Sequence, residues 1–144
     1  GHSDWPLWVG FSHRGDLLAS GSYGEICVWD ARSWRLLAVL RRPDSLRFST
    51  IAFSFTSDPR TFVSGGWAHE EEKVEVRDAS GSLVGWNTKR KGLVQLWDLE
   101  TGQLRDSFPA HDGALTCLAV SPTEGILVTA GDDGVTKAWS LWDD

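Results

Sequence analysis

The chain has 144 residues, enough for one domain of ordinary size, and 41% of them are hydrophobic while 24% are charged. Its formal net charge of -6 is spread over mixed signs, so no strong positive field draws nucleic acid or an anionic membrane, and neither is expected as a partner. No basic-then-apolar leader opens the sequence and no apolar run approaches about 18 residues, so neither secretion nor a membrane span is indicated and a cytoplasmic setting is expected.

In chain order, Gly1-His2-Ser3-Asp4-Trp5 leads into a strand-like run Leu7–Ser12, a turn His13–Asp16, a second run Leu17–Gly21, a turn Ser22–Gly24 and a third run Glu25–Asp30. Trp34–Leu40 alternates loosely enough to be an outer fourth strand. The unit then restarts: Ser49–Ser54 matches the first run, and Phe53 lies 42 positions after Phe11. Thr61–Gly66 is the matching second run, but the matching third run, Gly92–Asp98, arrives late: Trp29 to Trp97 is 68 positions, whereas Trp97 to Trp139 is 42. Residues 67–91 therefore read as an insertion. It contains Glu70-Glu71-Glu72, the alternating Lys73–Arg77 and Ser82–Trp86, two short runs around a Ser-Gly turn that suggest an extra hairpin. A rival parse makes Val74–Asp78 the third strand, but Trp97-Asp98 leads directly into the turn Glu100-Thr101-Gly102 and an outer strand Gln103–Phe108, which favours the first. The last third, His111–Trp139, has three β-prone segments separated by Ser121–Gly125 and Asp132-Asp133-Gly134, the pattern of a three-stranded meander.

This spaced set of side chains resembles the WD-repeat family of β-propellers. In that family a loop His, a second-strand Ser or Thr, a turn Asp and a third-strand Trp form a hydrogen-bonded network, and His111, Thr129, Asp133 and Trp139 stand in all four places. In the first unit His2, Ser20 and Trp29 match while Tyr23 takes the Asp place. In the second, Trp97 matches, but Arg42-Pro43-Asp44 stands where the His is expected and Lys91 takes the Asp place, so the network is expected to be lost there. The resemblance implies an all-β chain: a β-propeller segment of about three four-stranded antiparallel blades, an open arc whose last blade lacks its outer strand. Blade 1 would span about 1–42, blade 2 about 43–109 with the insertion 67–91, and blade 3 about 110–144. A chain that opens directly on a motif reads as a piece of something longer, whose remaining blades would be partners of this one. Both terminal sheets would expose apolar faces, so the isolated chain is expected to associate or to be marginally stable.

The same resemblance implies a non-catalytic scaffold that binds a protein or peptide, with no cofactor and no metal. Cys27 and Cys117 show no metal-ligand spacing, and each lies in an apolar run that suggests a buried free thiol. A His, a hydroxyl and an Asp also invite a nucleophilic reading of His111, Thr129 and Asp133, but the Trp and the spacing favour structure. Because the network joins the loops before inner strands to the turns between second and third strands, these share one rim, and the insertion lies on it. Trp67 and Trp86 there offer rigid aromatic anchors, as does Trp5, with Glu70, Glu71, Glu72, Lys89 and Arg90 as charges that orient a partner. The alternative is a sensor or autoinhibitory segment of a larger signalling protein, an NTPase or kinase whose activity lies elsewhere; no Walker-type phosphate loop occurs in the chain itself.

Overall fold

A computed structural model describes residues 5–22, 24–42 and 49–141. Eleven strands follow one another among these residues: β1 (Trp8–Phe11), β2 (Leu17–Gly21), β3 (Glu25–Asp30), β4 (Leu36–Arg41), β5 (Ser49–Phe55), β6 (Thr61–Arg77), β7 (Leu83–Asp98), β8 (Leu104–His111), β9 (Leu115–Val120), β10 (Ile126–Gly131) and β11 (Thr136–Ser140). They pair as consecutive antiparallel neighbours into sheets β1-β2-β3-β4, β5-β6-β7-β8 and β9-β10-β11. This is the expected all-β arc, with four, four and three strands.

Local chemistry explains the punctuation. The Asp that follows each third-strand Trp in the first two sheets closes the next turn. Asp30 Oδ1 accepts from the amides of Arg32 (2.8 Å) and Ser33 (3.1 Å), and Asp98 Oδ1 from those of Glu100 (2.9 Å) and Thr101 (3.3 Å). Four residues after each Asp the backbone turns left-handed, at Gly102 (φ 74°) in one sheet and at Trp34 (φ 60°) in the other. Trp34 thus belongs to the turn, and the outer strand starts at Leu36 instead of Trp34.

The sheets stack face to face over two cores. Ala19, Ile26, Val28 and Leu40 of the first sheet meet Phe53, Phe62 and Trp97 of the second. Ala52, Val63, Val94 and Ala110 on the far side of the second sheet meet Leu115 and Leu127 of the third. Strand alternation produces this: neighbours Phe62 and Val63 point to opposite faces, and both are completely buried. Trp8 stacks on Phe53 at 5.5 Å, and Phe108 meets Trp139 at 5.0 Å, so an aromatic pair ties each junction.

Two readings of the sequence need correction. The insertion is no separate hairpin: β6 and β7 run on through it as one ribbon, paired from Thr61↔Asp98 out to Arg77↔Leu83 and turned over Asp78–Ser82 with Gly81 at φ 85°. Val74–Arg77 consequently belongs to the second strand of its sheet, which removes the rival parse. Cys117 is exposed, against the expected burial, while Cys27 is buried.

Candidate functional site

The site grows out of the junction between the second and third sheets. β8 carries the chain to His111, and a short connection turns it into β9 at Leu115. The turn between β10 and β11 comes back over that connection, with the Asp132 amide donating to Ala114 O at 2.9 Å. Four side chains then join in one chain of bonds. The Trp139 indole N–H donates to Thr129 Oγ1 at 3.0 Å, Thr129 Oγ1 lies 2.8 Å from His111 Nε2, and His111 Nδ1 lies 3.1 Å from both carboxylate oxygens of Asp133. The tautomer that satisfies every member has Nδ1–H donating to Asp133 and the Thr129 hydroxyl donating to Nε2. Asp133 also accepts from the amides of Val135 (3.1 Å) and Asp112 (3.3 Å). His111 is 1% and Thr129 0% exposed, so the hydroxyl has no route to a substrate and the constellation fastens a turn to a loop.

In the other two sheets the same places hold other partners. His2 and Tyr23 lie outside the described residues; Ser20 receives the Trp29 indole N–H at 3.4 Å, a long bond. In the second sheet the network is reduced, not lost, which corrects the sequence reading. Trp97 Nε1–H donates to Ser64 Oγ at 2.8 Å, and the Ser64 hydroxyl donates to Gln95 Oε1 at 2.9 Å. Gln95 stands directly opposite Ser64 in the register and is fully buried, so a side-chain amide takes up the hydroxyl that an imidazole takes up in the third sheet. The available signal was a retained Ser and Trp with the His gone.

The ribbon starts on this rim. Pairing to the flanking strands stops at Ser49↔Trp67 on one side and at Gly92↔His111 on the other, while β6 and β7 continue paired to each other. Gly92 sits so close to the β8–β9 connection that a Cβ there would meet Gly113 O at 2.5 Å, so the base of the ribbon has room only for glycine. Beside it Lys91 Nζ lies 3.4 Å from Asp112. Trp67 is half-buried at the base, and Trp5 is 81% exposed. Further out the register shifts between His69 and Lys73, so Glu70, Glu71 and Glu72 form a bulge across from Lys89, next to Arg90; Trp86 pairs with Glu75.

Carboxylates at these turns make the fold sensitive to acid. Burial pushes Asp133 up, but the Val135 amide, the His111 ring and the Asp112 amide outweigh it, and its pKa is lowered from 3.8. The Ser33 and Arg32 amides lower Asp30, and the Glu100 amide, with burial opposing it, lowers Asp98. A carboxyl with a depressed native pKa contributes stability above its unfolded value and loses it as pH falls through the native one. Unfolding free energy should therefore decline as pH drops below about 4, and Asp133→Asn should both destabilise at pH 7 and flatten that decline. Urea titrations at several pH values check this; an unchanged slope would mean that Asp133 carries no such coupling.

Fold and site together define an open segment of a β-propeller whose sheets carry a hydroxyl–indole pair, completed by His and Asp in the third. Comparison with known proteins shows what two of these units resemble. The "WD domain, G-beta repeat" model matches residues 1–30 and 102–140, so these two segments are similar to WD repeats. Similar proteins include the Periodic tryptophan protein 2 homolog of Neurospora crassa, 32% identical over 65 residues, which are 45% of this chain and 7% of that protein. WD repeat-containing protein 3 of Homo sapiens is 42% identical over 59 residues, 41% of this chain and 6% of that one. The WD repeat-containing protein 26 homolog of Arabidopsis thaliana is 41% identical over 93 residues, 62% and 16% respectively. The chain spans only a small part of the relatives it matches. WD repeats are generally non-catalytic and serve as protein-interaction scaffolds.

Proposed function

We propose that this chain is a non-catalytic scaffold that engages a protein or peptide partner on the rim bearing the β6–β7 ribbon. One observation carries the reading: two paired strands leave the body of their sheet at Trp67 and Gly92 with no strand on either flank among the described residues. Unpaired strand edges are templates for another chain, and a two-stranded ribbon is marginal alone in water, so a partner that adds contacts stabilises it. The opposite charges of Glu70–Glu72 and Lys89–Arg90 would set orientation and on-rate, with Trp67 and Trp86 as anchors. A cytoplasmic setting belongs to the same proposal and is supported by Cys27 and Cys117, neither of which is in a disulfide among the described residues.

Replacing residues 67–91 with an Asn-Gly turn should leave the β signal in circular dichroism intact and remove the proteins that the full chain retains from an extract. Retention of the same set by the shortened chain would take the ribbon out of the function.

A further inference from the structure

At the end of the sheets away from the ribbon, the turns after β1, β3, β5 and β7 gather. Two of them are built alike: the Trp34 amide donates to Asp30 O and the Gly102 amide to Asp98 O, both at 2.8 Å. Each then turns left-handed, at φ 74° on Gly102 but at φ 60° on Trp34, whose indole is 61% exposed. A bulky residue is strained in that region, and an indole this exposed gains little burial to offset the strain. Glycine would serve the turn better, so the ring is placed there for a contact that lies outside the turn.

Close by in the chain, a trough runs between the first two sheets. Its outer part is a cavity of about 410 Å³, with Leu37 and Ala38 of β4 on one bank and Arg60 and Leu99 on the other. An inner cavity of about 300 Å³ reaches on to Ser12, Arg14 and Phe55. Both are lined by Leu17 and Pro59, so the two are continuous. The banks differ in charge. On the first sheet, the guanidinium groups of Arg14, Arg32 and Arg35 have no hydrogen-bond or ion-pair partner among the described residues, and the Ala31 amide, donating to Asp16 O at 3.0 Å, holds their two turns together. The carboxylates beside them are engaged within those turns: Asp16 accepts from the Ser12 hydroxyl at 2.7 Å, and Asp30 from the Arg32 and Ser33 amides. On the second sheet the charges answer one another, with Arg60 bridged to Asp98 (3.3 Å) and Glu100 (2.9 Å), and Asp58 accepting from the Thr61 hydroxyl.

We propose that this trough is a second docking site, separate from the ribbon, and that its occupant is an extended acidic segment of a partner protein. Side chains of an extended segment alternate in direction, so apolar ones seat between Leu37 and Leu99 while the intervening carboxylates meet Arg14, Arg32 and Arg35. Trp34, between Arg32 and Arg35 in the same turn, lies against the segment as a rigid anchor. Unpaired arginines around an exposed indole, beside a groove with aliphatic walls, select for negative charge and apolar bulk together.

Fluorescence anisotropy of the full chain with a labelled peptide Gly-Glu-Leu-Glu-Leu-Glu-Gly tests this. It should bind at least about 10-fold more tightly than the versions with Gln or Lys in place of Glu, and rising salt should weaken it. Trp34→Gly should lower the affinity by about 10-fold or more while the thermal midpoint stays or rises, because glycine takes the left-handed turn without strain. An indole kept for stability would give the reverse pattern, so docking and fold are read apart. Arg32→Ala/Arg35→Ala should weaken binding likewise and remove most of its salt dependence. Replacing the ribbon with its Asn-Gly turn should leave the peptide affinity unchanged, which separates this site from the one proposed above. No binding at about 1 mM peptide, equal affinity for the three peptides, or full affinity in Trp34→Gly would each overturn the proposal. So would an oligoadenylate RNA or phosphatidylserine vesicles bound through the same arginines more tightly than the peptide.

Discussion

Trp97→Ala should cost about 3–5 kcal/mol of unfolding free energy, the range for removing a large aromatic from a packed core. Trp97 is 2% exposed and lies between the first two sheets with Phe53 and Phe62 beside it. Its indole N–H also satisfies Ser64, so the truncation leaves a cavity and strips the buried hydroxyl of its donor at once. Trp97→Phe keeps most of the volume and loses the bond, which limits its cost to about 1–2 kcal/mol. The first sheet offers an internal comparison, since Trp29 occupies the equivalent place, is only half-buried and reaches Ser20 at 3.4 Å. Trp97 is enclosed between two sheets whereas Trp29 is only half-buried, so Trp29→Ala should cost less than Trp97→Ala. Denaturant midpoints of the two variants read the difference. Equal costs at the two positions would contradict the buried and half-buried environments of the two indoles.

Most of the architecture was legible because the repeat writes the same physical devices again and again. Trp29-Asp30 and Trp97-Asp98 each combine an indole that bonds a second-strand hydroxyl with a carboxylate that closes the following turn, and His111 to Trp139 spells out one sheet with its turns. The less legible parts depend on pairing at a distance. Lys73–Arg77 alternates as a strand should, but three consecutive Glu residues look like a break, and only a bulge opposite Lys89 lets one strand run through them. Gln95 is an ordinary alternating polar residue in sequence; its burial follows from Ser64 standing opposite it and from the stacked first sheet. Cys117 lies in a run as apolar as that of Cys27, and the run alone does not tell which of the two thiols is covered.

His111→Ala should cost about 2–4 kcal/mol, through a buried polar network left half-satisfied. The ring links Thr129 and Asp133 and fills the space in front of Gly131, where a Cβ would meet it at 2.8 Å. Asp133 keeps the amides of Asp112 and Val135 after the change, which holds the loss below that of stranding a fully buried charge. If His111 and Asp133 act as one unit, the double variant His111→Ala/Asp133→Ala should cost less than the sum of the two single changes, by about 0.5–3 kcal/mol. Strict additivity would mean that the two side chains are merely adjacent. The effect should also reach the ribbon, because Gly92 lies against both His111 and Gly113. Loss of the imidazole should therefore speed hydrogen exchange at Asp132, whose amide holds the turn to Ala114, and along the base of β7. Exchange confined to the β10–β11 turn would show that the rim is not mechanically joined to the strands that leave it, and a partner held on the ribbon would then be held independently of the network beneath.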